Sequence, residues 1–382
     1  MPTLDAVRTM LHRRFQNLWA MVPSLSFDFE DYSDEMIWID GKPPNNDVAF
    51  SSFACFVRNV LMLYRRSTID NFCLTISNLG EKANDAKIIG DVRMWLRYAI
   101  EKEVKDLHFN YCGVSFDLPP CVFTSQSLGT LMLSGCTIKH YEHQSHIHMG
   151  MLTKLSLFCV MGSTKTFNQL ISGCTSLKEL IMSFAADPGS EILNINAPSL
   201  SKLYLRHLNY PCTLNCPSLK MLDIGAYERS PYFQLSVVGV LSLHKVNLEY
   251  LPTRCFSGEV QPFFKLVQNA EVFTLSCKAF EEISSVEKIE FPQNRWRRIV
   301  LNLEWTGERC LEVIFELMKK SVNLEELKIY AGESSGDSQL LCSELTACVL
   351  PLLKTVTIHG NHGYKKWCEG QLQEIGNYLW EE

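Results

Sequence analysis

The sequence predicts an α/β fold, a solenoid of stacked repeats lined by a parallel β-sheet. Three observations carry that prediction. A short apolar phrase recurs through most of the chain. Its copies fall at near-constant intervals. Segments with apolar residues at helical spacing lie before and after the array.

The phrase is L-x-x-L-x-L. It reads VKDLHF at 104–109, LGTLML at 128–133, LTKLSL at 152–157, LKELIM at 177–182, LSKLYL at 200–205 and LKMLDI at 219–224. It returns as VGVLSL at 238–243, LEELKI at 324–329 and LKTVTI at 353–358, with weaker copies EVFTLSC at 271–277 and WRRIVLNL at 296–303. Its central positions are Leu107, Leu131, Leu155, Leu180, Leu203, Leu222 and Leu241, at intervals of 24, 24, 25, 23, 19 and 19 residues. Leucine-rich repeats have periods of about 20–29 residues. The fold class is therefore an α/β leucine-rich-repeat solenoid, its strands forming a parallel sheet that lines a horseshoe.

Elementary strand geometry explains the phrase. Side chains alternate across a strand, so both apolar residues of L-x-L point into the core. The residue between them points to the opposite, concave face. The leading apolar residue turns inward before the strand. Three positions after the last apolar residue, Cys112, Cys136 and Val160 are expected to fill the turn. A single repeat cannot bury its apolar face, so several must stack. The apolar run SVVGVLSL (236–243) has the length of a buried strand.

The flanking segments follow in order. FSSFACFVRNVLMLY sets Phe53, Phe56, Val57, Val60, Leu61 and Tyr64 at helical spacing, and DVRMWLRYAI does the same with Val92, Trp95, Leu96 and Ala99. These segments are expected to cap the first repeat strand. Late in the chain CLEVIFELMKK aligns Leu311, Ile314, Phe315 and Met318 ahead of a strand at LEELKIY. GKPPNNDVA (41–49) and AGESSGDSQ (331–339) read as loops.

Composition narrows the function classes. The chain of 382 residues is 46% hydrophobic and 20% charged, which argues against disorder. A net charge of -6 disfavours nucleic acid as the main partner. There is no apolar run of 18 residues, so no membrane span is expected, and no signal peptide is read at the start. The 15 cysteines are odd in number and include no C-x-x-C pair. They suit small apolar side chains in a reducing compartment, the cytoplasm or nucleus.

No chemistry emerges from the motifs. HYEHQSHIHMG holds His140, Glu142, His143, His146 and His148, residue types that bind zinc, but it lies between two repeat strands without a completing ligand pair. Cys212 and Cys216 likewise lack a second pair. Neither a phosphate-binding glycine loop nor a G-x-S-x-G elbow occurs. The clusters LHRR, YRR and RWRR are short and separated, as solvated ends of elements are. The expectation is a protein that is not an enzyme, with no cofactor and no metal.

The opening run resembles a known motif. Asp5-Ala6-Val7-Arg8-Thr9, Asn17-Leu18-Trp19 and Val22-Pro23-Ser24-Leu25-Ser26-Phe27-Asp28 look like the second half of a plant F-box. FSSFACFVRNVLMLYRR and DVRMWLRYAIEKEVKDLHF resemble the segments that precede the repeats in plant F-box/FBD/leucine-rich-repeat proteins. RRIVLNLEW onward resembles the FBD region of that family. The family's F-box begins further upstream, and Phe15 stands where Trp is usual, in a helix one residue short. The chain is accordingly read as a partial, truncated F-box at 1–25, a pre-repeat segment at 26–101, repeats at 102–285 and an FBD-like region at 286–382.

The resemblance implies a substrate-recognition adaptor of a Skp–cullin–F-box ubiquitin ligase. Val7, Leu11, Phe15, Leu18 and Trp19 would then meet the Skp-type linker protein. The same five residues could instead form a helix packed on the domain that follows. The alternative function is a stand-alone interaction module without ligase recruitment. In either case the unidentified protein substrate is expected on the concave positions. These include His108, Asn110, Met132, Phe158, Tyr204, Arg206, Asp223, His244, Glu304, Lys328 and Tyr330. Aromatic residues and Arg dominate interface energetics, so Phe158, Tyr204, Arg206 and Tyr330 lead that set.

Overall fold

A computed structural model describes residues 19–34, 46–77, 79, 85–112, 116–139, 147–183, 191–207, 211–225, 235–240, 243–250, 261–276, 279, 291–303, 314, 316–331, 352–360 and 363–368. The chain divides into two compact units, Met1–Ala197 and Pro198–Glu382. The segments 1–18, 140–146 and 332–339, with the readings attached to them, lie outside the described residues.

In the N-terminal unit the strands are β1 (Ser24–Asp28), β2 (Asn71–Ile76), β3 (Asp106–Tyr111), β4 (Phe116–Asp117), β5 (Thr130–Ser134), β6 (Cys136–Thr137), β7 (Lys154–Phe158), β8 (Glu179–Ser183) and β9 (Leu193–Asn196). Six of them form a parallel ladder in the order β1-β2-β3-β5-β7-β8. The predicted phrase supplies β3, β5, β7 and β8. β1 and β2 precede it and extend the same ladder, with Leu25, Phe27, Phe72 and Leu74 buried as their inward pairs.

Three helices back β1 to β3. They are α1 (Phe29–Asp34), α2 (Asn46–Leu63) and α3 (Ala86–Glu101). α2 starts at Asn46, so the loop read over 41–49 gives way to helix there, with Ala49 and Phe50 already buried. α3 begins where the Asp85 carboxylate accepts the Lys87 amide at 2.7 Å. Its apolar stripe, Ile88, Val92, Trp95, Leu96 and Ala99, is buried. Phe29 meets Phe50 and Phe53 edge-on, each with ring centroids 5.5 Å apart, and Phe53 meets Trp95 at 5.9 Å. A further helix, α4 (Thr164–Gly173), is capped by the Ser163 hydroxyl and packs near β9.

In the C-terminal unit the strands are β10 (Lys202–Arg206), β11 (Cys212–Asn215), β12 (Met221–Gly225), β13 (Leu235–Val237), β14 (Lys245–Tyr250), β15 (Val272–Leu275), β16 (Arg298–Leu303), β17 (Glu326–Ala331), β18 (Thr355–Gly360) and β19 (Gly363–Cys368). The ladder β10-β12-β14-β15-β16-β17-β18 is parallel and β19 adds antiparallel at its end. α5 (Gln261–Val267) lies between β14 and β15 in the chain, and residues 316–319 are helical ahead of β17. Trp296 stacks on Phe273 at 4.3 Å, and its indole N–H donates to the Val267 carbonyl at 2.8 Å.

The fold is the α/β leucine-rich-repeat solenoid that the sequence predicts. The inward pairs Leu107/Phe109, Leu131/Leu133, Leu155/Leu157, Leu180/Met182, Leu203/Leu205, Leu222/Ile224, Val246/Leu248, Phe273/Leu275, Ile299/Leu301 and Leu327/Ile329 are each no more than 1% exposed. Each such side chain contributes about 1.5–3 kcal/mol through burial.

One repeat is placed differently. VGVLSL (238–243) is not the strand after β12; LHKVNL (243–248) is. Leu222 pairs in register with Val246, which makes that interval 24 residues. Leu243, Val246 and Leu248 fill the three inward positions. The preceding apolar run divides: 235–237 pairs as β13 with β11, and Val238 is 73% exposed. The turn positions also differ from expectation. Cys136 and Val160 are buried, but Cys112 is exposed because Tyr111 takes the interior place beside Phe109 and Phe116.

Candidate partner-binding face

Alternation along each strand leaves three positions on the side opposite the core. The in-register ladder stacks these positions into columns. In the N-terminal unit the first column is Asp106, Thr130, Lys154 and Glu179; the second is His108, Met132, Ser156 and Ile181; the third is Asn110, Ser134, Phe158 and Ser183. Lys154 and Glu179 form an ion pair at 2.8 Å within the first column. From β3 to β8 the second and third columns hold no carboxylate, ammonium or guanidinium, while on β1 the third column ends at Asp28. Of the residues expected at the interface, His108, Asn110, Met132 and Phe158 lie on this face.

In the C-terminal unit the first column is Lys202, Met221, Lys245, Val272, Arg298, Glu326 and Thr355. The second is Tyr204, Asp223, Asn247, Thr274, Val300, Lys328 and Thr357. Arg206 ends β10, and Tyr330 and His359 follow at the far end. The expected residues Tyr204, Arg206, Asp223, Lys328 and Tyr330 therefore share the outward side.

This second face is tied by charge. Arg206 lies 2.7 Å from Asp223, and the Asn247 amide donates to the same carboxylate at 2.9 Å. Glu326 pairs with Arg298 and, at 3.0 Å, with Lys328. Burial pushes the Glu326 carboxyl up, but the bonds from Lys328 and Arg298 outweigh it and leave it below the ordinary range. At the strand entry Arg297 donates to Glu325 at 2.6 Å and Lys354 does so at 3.1 Å, which holds the Glu325 carboxyl low. The rings of Tyr330 and His359 stack at 4.5 Å with an interplanar angle of 8°.

His244 is corrected. Because the repeat strand is β14 rather than VGVLSL, His244 precedes a strand instead of following one. It lies at the strand entry, 3.2 Å from Glu271, outside the three outward columns. Glu304 and the expected linker contacts Val7, Leu11, Phe15 and Leu18 lie outside the described residues. Trp19 opens the 3-10 helix Trp19–Met21, and its side chain is outside the description. Sequence reasoning missed that Arg206, Asp223 and Asn247 form one group, since they come from three repeats.

No group of three or more His, Cys, Asp or Glu among the described residues could hold a metal ion. Cys136 and Cys174 are buried thiols pushed up to about 12 by desolvation, and burial pushes Cys212 up as well. No helix among the described residues is long and apolar enough to cross a membrane.

Residues 92–240 match the family model described as "FBD-associated F-box protein At5g56370, LRR repeats". Among curated proteins, the chain is 23% identical over 395 aligned positions to the F-box/FBD/LRR-repeat protein At3g52680 of Arabidopsis thaliana, covering 99% of this chain and 78% of that protein. It is 25% identical to the F-box/FBD/LRR-repeat protein At5g56420 of the same plant, covering 59% of this chain and 51% of that protein. It is 29% identical to the F-box/LRR-repeat protein At1g48400, also of Arabidopsis thaliana, covering 64% of this chain and 50% of that protein. The chain thus spans about half the length of two of these three relatives.

Proposed function

We propose, proceeding from the plant F-box/FBD/leucine-rich-repeat family that these matches support, that the chain is the substrate-recognition adaptor of a Skp–cullin–F-box ubiquitin ligase. Its outward strand face holds a protein substrate, and Val7, Leu11, Phe15, Leu18 and Trp19 meet the Skp-type linker. The adaptor makes and breaks no bonds. It raises the effective concentration of the substrate near a ligase carried elsewhere in the assembly.

The observation that carries this reading is the ordered outward face of each unit, on which Met132 and Phe158 in one and Tyr204, Arg206 and Tyr330 in the other stand at outward positions aligned from strand to strand. A standard interface takes roughly 800 Å² from each partner, an area that residues on several adjacent strands must supply together. The printed names of the relatives supply the F-box half of the proposal.

The test is a pull-down of the full chain with a purified Skp-type linker protein, beside a fusion carrying a complete F-box as positive control. The expected result is capture by the chain, lost in Leu11→Asp and Phe15→Asp with the repeats still folded. Capture by the fusion alone overturns ligase recruitment and leaves a stand-alone interaction module.

A further inference from the structure

We infer that a groove on the N-terminal unit binds a small organic anion, an acid group carried on an apolar body. The groove lies between α3 and the 3-10 helix Pro120–Thr124 and has a volume of about 490 Å³. Small-molecule sites commonly measure about 300–1,000 Å³. No residue of the outward columns lines it, so the site is independent of the adaptor reading.

Helical spacing builds one wall. Gly90, Arg93, Met94 and Arg97 fall three and four residues apart on α3, opposite its buried stripe. Glycine inside a helix is unfavourable relative to alanine. Packing does not demand it here, because a Cβ at Gly90 would meet no atom within 4 Å. The space that Gly90 leaves belongs to the groove, where a ligand can approach the backbone closely.

The other wall is Leu118, Pro119 and Pro120. Its backbone offers no free donor. Proline has no N–H, and the Leu118 amide donates to the Thr137 carbonyl at 3.1 Å. An apolar body lies against such a wall without stranding a polar group. Met94, 47% exposed, adds a deformable apolar contact from the α3 side.

The donors of the groove are guanidinium groups on α3. Arg93 is held in place: it lies over the Phe116 ring at 5.9 Å, donates to the Asp117 carbonyl at 3.3 Å and stands 3.6 Å from the Asp117 carboxylate. That carboxylate also has Lys139 at 2.6 Å. Arg97 hydrogen-bonds with the half-buried Cys121 thiol, an uncharged group. Of the carboxylates on α3, Asp91 pairs with Arg58 at 3.4 Å, and Glu101 follows Arg97 by one turn. Arg93, Arg97 and Lys139 thus stand against Asp117 and Glu101, and one positive charge is left over. Two guanidinium groups one turn apart suit a carboxylate, phosphate or sulfonate. The occupant is amphipathic because the groove is, with its acid group toward the arginines and its apolar body toward the prolines.

The test titrates the full chain with anilinonaphthalene sulfonate, an aromatic anion that fluoresces in apolar sites. Phenylnaphthylamine, the same body without the sulfonate, is titrated beside it. The sulfonate should bind, and more tightly than the uncharged compound. Gly90→Leu fills the groove and should weaken both by about 10-fold. It should unfold at an unchanged or higher temperature, since leucine suits a helix better than glycine. Arg97→Gln should weaken the sulfonate by about 10-fold and leave the uncharged compound as it was. Arg295→Gln, which removes an exposed guanidinium of the C-terminal unit, should change neither. Displacement by octanoate or by octyl phosphate identifies the acid group that the site prefers. Absence of sulfonate binding, equal binding of the two compounds, binding that survives Gly90→Leu, or displacement by neither acid would overturn the inference.

Discussion

The Arg206 guanidinium lies 2.7 Å from the carboxylate of Asp223, a residue only 5% exposed although it points to the outward side of its strand. Asn247 from the next strand donates to that carboxylate's other oxygen at 2.9 Å. The charge stays buried because two neighbouring strands supply its partners.

Arg206→Ala should therefore destabilise the C-terminal unit. The loss should be about 1–3 kcal/mol, since a buried carboxylate is left with one neutral donor while the Arg itself is partly exposed. In the Arg206→Ala/Asp223→Asn double variant the loss should be smaller than the sum of the singles. Urea unfolding of the four proteins checks this. An Arg206→Ala change within about 0.5 kcal/mol of wild type would remove the pair from the stability account.

The residue that leaves a repeat strand is left-handed in three described places: Gly135 (φ 66°), Cys159 (φ 49°) and His207 (φ 52°). A Cβ on Gly135 would stand 2.0 Å from the Tyr111 carbonyl oxygen. Gly135→Ala should cost more than about 1 kcal/mol, combining the unfavourable φ with the clash. Cys159→Gly relieves roughly 1 kcal/mol of backbone strain, offset in part by the freer unfolded chain, so it should be neutral or mildly stabilising. Thermal unfolding of both variants should move in these opposed or unequal ways. A large loss in Cys159→Gly would mean that the thiol side chain matters more than the turn.

Acid should act on the C-terminal ladder through Glu325. Bonds from Arg297 first, and then from Lys354, hold its carboxyl below the ordinary glutamate value of about 4.5. A group with a depressed folded value contributes its stability above the unfolded value and loses it as pH falls through the folded one. The contribution is thus full above about pH 4.5 and fades below it. Arg297→Gln should raise the pH of the acid unfolding midpoint, and added salt should shrink the difference between the two proteins. Identical acid titrations of wild type and Arg297→Gln would exclude this role.

Thiol reactivity should sort the described cysteines by burial. Desolvation pushes Cys136 and Cys174 up to about 12, and Cys212 and Cys216 are also buried, whereas Cys55, Cys112 and Cys159 are exposed. An alkylating reagent at neutral pH should label the exposed three in the native protein and the buried four only after denaturation. Labelling is read by peptide mass spectrometry. Native labelling of Cys136 at the rate of Cys112 would contradict the packing of the turn.

Most repeat strands were legible because burial on one side of a strand imposes a period of two, and L-x-L records it directly. The repeat after Leu222 was not, because VGVLSL and LHKVNL both satisfy the apolar pattern. Pairing decided it: β12 takes 245–250 as its neighbour, while 235–237 pairs with β11. β1 and β2 escaped notice because Phe27 and Phe72 replace the leucine that marks the phrase. The outward residues Tyr204, Arg206, Asp223, Lys328 and Tyr330 could be named in advance by alternation alone, but His244 was misplaced with its strand.

The sequence by itself determined which side chains point inward and that successive units must stack, since both follow from local alternation and from apolar faces that a single repeat cannot bury. Only the tertiary structure decided which outward residues meet. Register brings Arg206 to Asp223 and sets Ser156 between Met132 and Ile181, because the ladder aligns positions that are 17 to 25 residues apart in the chain but neighbours across a strand.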